Sequence, residues 1–165
     1  MLAKSIAIIL IAVMTPIAMA IGAFMQNRIP WSDPPGFSKR LRTYVTTNVA
    51  ETAVDPEFPE LRVRSYPLPQ DRMLPVVEQA MQSLGWDIPV SGRKGHGIQA
   101  VVTTPLWQFQ DEVTVTLQSV EGDAGTWVNV RSGSRTGRGD FGTNTRHILD
   151  LYAAMEQVIG QVGRE

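Results

Sequence analysis

Four arginines, two serines, an aspartate, an asparagine and a histidine lie between Val130 and Ile148, interleaved with glycines. A guanidinium is a rigid five-donor fork that suits carboxylate and phosphate. Gly137, Gly139 and Gly142 permit positive φ and close backbone approach. Their N–H groups, followed by a helix N-terminus, make an anion-binding concavity ringed by Arg131, Arg135, Arg138 and Arg146. The candidate ligand- or partner-binding residues are therefore Arg131, Ser132, Ser134, Arg135, Asp140, Asn144 and Arg146. A competing reading needs no ligand. The arginines pair with Asp111, Glu112, Asp140 and Asp150, and Asx-type hydrogen bonds hold the loop; Arg146 and Asp150, four apart on a helix, suit such a pair.

Other chemistries are poorly served. Ser132 or Ser134 with His147 and Asp140 supplies the residue types of a hydrolytic triad, but arginines flank Ser-Gly-Ser where a nucleophile elbow has glycines. His147 near a helix start reads better as a solvent-facing or capping neighbour. His96 lies in Gly95-His96-Gly97 with no second histidine at metal-binding spacing, so neither a metal nor any cofactor is expected. The basic, glycine-rich Ser91–Gly97 lacks the phosphate-loop pattern. Arg138-Gly139-Asp140 spells an adhesion tripeptide but sits inside the larger motif. The chain has no cysteine, which removes disulfides, thiolate nucleophiles and cysteine zinc sites together.

The stretch resembles the domain-of-unknown-function family 1499, found in bacterial envelopes and photosynthetic lineages. Arg131, Ser132, Ser134, Arg135, Gly137, Asp140, Gly142 and Asn144 match its late motif, and Arg146 matches with a one-residue shift because His147 separates it from Ile148. Phe109-Gln110-Asp111-Glu112 resembles an earlier feature, an aromatic and an acidic pair leading a strand. The similarity runs from about Leu61 to Val162. It implies a fold and an envelope location, and no reaction.

The elements that must position this loop follow from periodicity. Leu61–Tyr66 alternates as a strand does; Asp71 then opens a helix carrying Leu74, Val77, Ala80, Met81 and Leu84 on one face, with Pro75 early in it and Gly85 as its stop. Trp86–Ile88, Ile98–Thr104 and Glu112–Val120 read as strands, and Glu121–Gly125 as a hairpin connection into Thr126–Arg135. Val128, Val130 and Ser132 then face the core, opposite Trp127, Asn129 and Arg131. Ile148, Leu151, Tyr152, Met155, Val158 and Ile159 predict a final helix from about Thr143 to Val162, capped by Thr143 or Asn144. The fold class is α+β, a mainly antiparallel sheet with two helices on one face, plus one N-terminal transmembrane helix.

That helix is predicted from Ser5–Met25, 21 positions without a charge, or about 31 Å against a bilayer core of about 30 Å. Lys4 and Ala18-Met19-Ala20 also fit a cleavable signal, but the apolar run continues past them. Residues 1–26 are thus an anchor or signal segment, and 61–165 the domain. Residues 27–60, broken by Pro30, Pro34, Pro35, Pro56 and Pro59, form a stalk with a short helical piece near Lys39–Glu51. Trp31 and Phe37 suit either the membrane interface or the domain surface. Arg28, Lys39, Arg40 and Arg42 after the run favour a cytoplasmic domain by charge count, whereas the signal-like order favours the periplasm. The balance of 15 Lys+Arg against 16 Asp+Glu lacks the basic excess of a nucleic-acid binder. The expectation is a single-pass protein of the bacterial inner membrane with a periplasmic domain, touching lipid through residues 5–25. Its leading role is a non-catalytic accessory domain or small subunit of a membrane-protein complex. The alternative is an enzyme or binding domain for an anionic envelope ligand, centred on Arg131, Arg135 and Asp140.

Overall fold

The structure, a computed structural model, describes residues 2–104, 108–120 and 125–162, without the side chains of Leu2, Ala3, Ala20, Ala23, Phe24, Gln26, Lys94 and Val162. Helix α1 (Leu2–Gln26) leads to α2 (Phe37–Thr46), β1 (Val49–Glu51), β2 (Arg64–Tyr66), α3 (Gln70–Ser83), β3 (Arg93–Lys94), β4 (Gly97–Thr103), β5 (Gln110–Ser119), β6 (Thr126–Ser134) and α4 (Thr143–Val162). The result is an α+β fold with an antiparallel sheet and four helices among the described residues. The hairpin expected at Glu121–Gly125 lies largely outside them.

The sheet order is β1-β6-β5-β4-β3, with β2 also paired to β6. β1 meets one end of β6 through Ala50↔Ser132, and β2 meets the other through Ser65↔Trp127, so the two lie end to end along one edge. Register alignments Ile98↔Val115, Ala100↔Val113, Val115↔Val130 and Leu117↔Val128 place these apolar side chains on one face, leaving Val101 and Trp127 on the other. α3 and α4 cover that face with Met73, Val77, Met81, Ile148, Leu151 and Met155, all fully buried. Alternation in β4, β5 and β6 therefore decides the fold, and the predicted inward set Val128, Val130 and Ser132 is buried.

Several boundaries differ from expectation. Leu61 ends a 3-10 turn from Pro59, and only Arg64–Tyr66 joins the sheet. The expected strand at Trp86–Ile88 shrinks to a single bridge, Asp87↔Val101. Residues 27–60 pack on the domain rather than standing off as a stalk: Ile29, Tyr44, Phe58 and Leu61 are buried, and Trp31 stacks on Phe37 and Tyr44 at 5.5 and 5.8 Å. Arg40 explains why. Its fully buried guanidinium pairs with Glu60, donates to the carbonyls of Asp33 (3.1 Å) and Pro34 (2.6 Å), and lies over the Phe58 ring. Prolines break regular structure here, but a buried cation with five donors gathers the irregular backbone around itself.

Among the described residues, no helix is long and apolar enough to cross a membrane. The described side chains of α1 run unbroken from Lys4 to Met19, or about 24 Å at the helical rise. Ala20, Ala23 and Phe24, which complete the expected span, are outside that set.

Candidate functional site

The motif loop is built from its own polar groups inward. Asp140 accepts the N–H of Gly142 at 2.8 Å on Oδ1 and the N–H of Asn144 at 3.1 Å on Oδ2. It thus caps α4, the role expected of Thr143 or Asn144, and fills the helix N-terminus with the chain's own carboxylate. Burial pushes the Asp140 carboxyl up from its ordinary value, against the lowering effect of those N–H bonds. Asp140 and Phe141 give their N–H groups to the carbonyls of Thr47 and Tyr44. The expected anion concavity is therefore occupied by protein.

The glycines serve contact rather than a ligand. A Cβ on Gly139 would meet the carbonyl oxygen of Val45 at 2.5 Å, and one on Gly142 (φ +84°) would meet Ile29 at 2.9 Å. Both let the loop seat on α2 and the segment before it.

Asn144 is the hub. Its Nδ2 donates to the Asn48 carbonyl (2.9 Å) and to Ser134 Oγ (3.1 Å), and its Oδ1 accepts from Ser132 Oγ at 2.6 Å. Ser132 and Asn144 are fully buried. The arginines point elsewhere and are mostly satisfied. Arg135 pairs with Glu112 (2.7 Å) and donates to Gln110, Arg146 forks onto Asp150, and Arg131 lies 4.0 Å from Glu51. Arg138 is exposed and has no ion pair among the described residues. The seven expected site residues thus split. Ser132, Ser134, Asp140 and Asn144 form one network, while Arg131, Arg135 and Arg146 do not converge on a common point.

A different cluster adjoins that network. Asp111 continues the inward column of Val113, Val115 and Leu117 and is 1% exposed. Its Oδ2 lies 3.7 Å from His147 Nδ1, and its Oδ1 is buried without a hydrogen-bond partner among the described residues. His147 Nδ1 is also 3.3 Å from Ser132 Oγ. Because Ser132 spends its proton on Asn144, its oxygen accepts from Nδ1–H, which leaves Nε2 as the unprotonated acceptor. Burial pulls the His147 pKa down, opposed by Asp111 and Asp150, so the ring is neutral. His147 is buried at the edge of Trp86, 5.8 Å between centroids, rather than solvent-facing.

These groups border a cavity of about 800 Å³ between the start of α4, the turn after α3, the end of β4 and the start of β5. Its apolar walls include Leu84, Trp86, Val102, Phe109 and Phe141; Pro16 of α1 and Asn27 reach one side. Carboxyls of Asp87, Asp111, Asp140 and Asp150 line it against one guanidinium, Arg146, already held by Asp150.

The geometry does not make a hydrolytic triad. Ser132 and Asp111 both approach Nδ1, whereas a relay needs them on opposite ring nitrogens. Ser132 is also sealed from solvent. Among the described residues no group of His, Asp and Glu converges as a metal site. Asp140 of Arg138-Gly139-Asp140 is engaged as a helix cap and is not presented for adhesion.

Sequence reasoning weighed Asp111 as an arginine partner and as part of an acidic pair leading a strand, and His147 as a surface or capping neighbour and as a member of a poorly served triad. The signal was present: Asp111, like Ser132 on β6, stands where the strand alternation demands an inward apolar side chain. His147, four before Leu151, adjoins the buried stripe of α4.

No curated protein matches the chain. A family model described as a protein of unknown function (DUF1499) matches residues 30–155, which includes α2, β1, the cavity walls other than Pro16 and Asn27, and most of α4. That is well over half of the sequence, and the chain belongs to this family.

Proposed function

We propose that this protein is a membrane-anchored, non-catalytic binding domain that takes a ligand in the cavity beside Asp111 and His147. The observation that carries this reading is the cavity itself: about 800 Å³, apolar-walled, with a few polar groups at its base, the usual form of a small-molecule site. An accessory surface would be flat around the loop. An anionic ligand is disfavoured, because Arg135 and Arg146 are paired and the cavity wall carries an unpaired acceptor, Asp111 Oδ1.

The anchor rests on α1. Ile8, Ile9, Leu10 and Ile11 are each more than half exposed, and four successive residues sweep about 300° around a helix. Apolar side chains on every side of a 25-residue helix, about 37 Å long, call for lipid or packed helices rather than water. The signal-like order of Lys4, apolar run and small residues supports a periplasmic domain on a bacterial inner membrane. A second reading, a small subunit of a membrane complex, draws on Ala7, Ala12, Ala18 and Gly22, small residues that let helices approach closely.

The test is native mass spectrometry of the full chain taken from its own membranes in lipid nanodiscs, beside Thr136→Trp. Thr136 is exposed at the cavity rim, so the larger ring blocks the space without touching the core. A bound small molecule that Thr136→Trp loses supports the binding domain. A stoichiometric set of membrane proteins with no small molecule favours the subunit reading, and a solitary, empty chain contradicts both.

A further inference from the structure

The geometry points to a particular ligand class for this cavity: a small organic cation, an ammonium group on an apolar or aromatic body. This deepens the cavity-binding reading and rests on it. The argument is one of unmatched valence. Asp111 is a side chain 1% exposed whose Oδ1 has no partner among the described residues, and it belongs to the cavity wall. A buried acceptor left unpaired is costly, and native interiors supply a partner. His147 Nε2, on the same wall, is a second acceptor once Ser132 holds the Nδ1 proton. The Asp87 carboxylate, exposed on the turn after α3, is a third.

The cavity's guanidinium and side-chain amide donors are already committed. Arg146 is bound to Asp150, and Asn27 Nδ2 donates to the Phe141 carbonyl at 2.9 Å. A carboxylate only accepts hydrogen bonds, so a complementary ligand must donate them. Asp150 balances Arg146 and Asp140 is spent on the start of α4, so Asp111 and Asp87 remain without a cation among the described residues, and a positive charge is favoured there and a negative one repelled. The apolar walls of Leu84, Trp86 and Val102 suit the cation's body, and the Trp86 ring its charge. Their breadth suits an aromatic or branched body better than a bare alkyl stem.

The experiment uses three probes of one shape on the full chain in phosphatidylcholine nanodiscs, followed by the NMR signals of the Trp86 indole and the Asp111 and His147 amides. The probes are tryptamine, its neutral alcohol tryptophol, and the anion indole-3-acetate. The inference expects saturable shifts with tryptamine about tenfold tighter than with tryptophol, and none with the anion. Asp111→Asn should bring tryptamine and tryptophol together while leaving tryptophol binding in place. Should Asp111→Asn not fold, Asp87→Asn should narrow the same ratio, and the wild-type order of the three probes stands as its own test. Equal saturable binding of all three would overturn the cation and leave the cavity reading intact; it would also identify water as the natural partner of Asp111 Oδ1. Preference for the anion would overturn the cation and return attention to the arginines. Absence of saturable shifts with every probe at millimolar concentration would overturn both.

Discussion

The segment from Arg131 to His147 has two sides, and they differ in what they leave unfinished. On the outer side, Arg135 meets Glu112 and Gln110, and every strong charge there except Arg138 has a counterpart nearby. On the inner side, Asp111 stands at the polar end of the core with an acceptor to spare, and His147 lies beside it. The outer side is conspicuous in sequence because it is rich in arginine and glycine. The inner side is chemically the more consequential, because unpaired buried groups mark where something else is to be bound. Abundance of charge is thus a weaker guide to a site than incompleteness of hydrogen bonding.

Substitutions sharpen this contrast in graded order. Asn144→Ala should have the largest effect, a loss of about 3 kcal/mol, since it strands the Asn48 carbonyl, Ser132 and Ser134 in buried surroundings. Chemical denaturation of the soluble fragment from Asn27 onward measures it. In the same assay Asp140→Ala should cost about 2 kcal/mol, the upper range for a lost helix cap. An unchanged midpoint for Asp140→Ala would contradict the structural role of the loop.

His147 contributes a pH dependence of defined sign. Its folded pKa lies below the ordinary histidine value of about 6.5, so the unfolded chain binds the proton first. Stability is then fully present above about pH 6.5 and falls as the pH drops toward the folded pKa. Asp111 and Asp150 face the ring as charges, with Ser132 and Trp86 packed against it. Asp140, with its pKa raised, acts oppositely and recovers some stability at lower pH, as its folded carboxyl protonates before the unfolded one. Melting curves from pH 7.5 to 5 should show a decline that His147→Gln flattens. The smallest effect belongs to the outer side: Arg135→Ala, about half exposed, should change stability by less than about 1 kcal/mol.

Much of the fold was legible because strand alternation and the helical stripe are local. β4, β5, β6 and α4 fall within a residue or two of their predicted limits. Residues 27–60 were not, because what orders them is distant. Arg40 meets Glu60 across 20 positions, and Val49–Glu51 pairs with Arg131–Gly133 across some 80. No period announces such partners, and five prolines suggest their absence. The candidate site was half legible. Ser132, Ser134, Asp140 and Asn144 were named and do assemble, but as scaffold. Asp111 and His147 became visible only when Asp111 was seen to end the buried column of β5 and α4 to bury His147 beside it.

One measurement tests the central contrast most directly. Tryptamine isotherms, read from the Trp86 indole NMR signal, should be recorded in parallel on wild-type, Asp111→Asn and Arg135→Ala full-length chains. Loss of tryptamine's advantage over tryptophol in Asp111→Asn, with Arg135→Ala behaving as wild type, is the result predicted. An unchanged Asp111→Asn beside an impaired Arg135→Ala would place the working site on the arginine side and contradict the account.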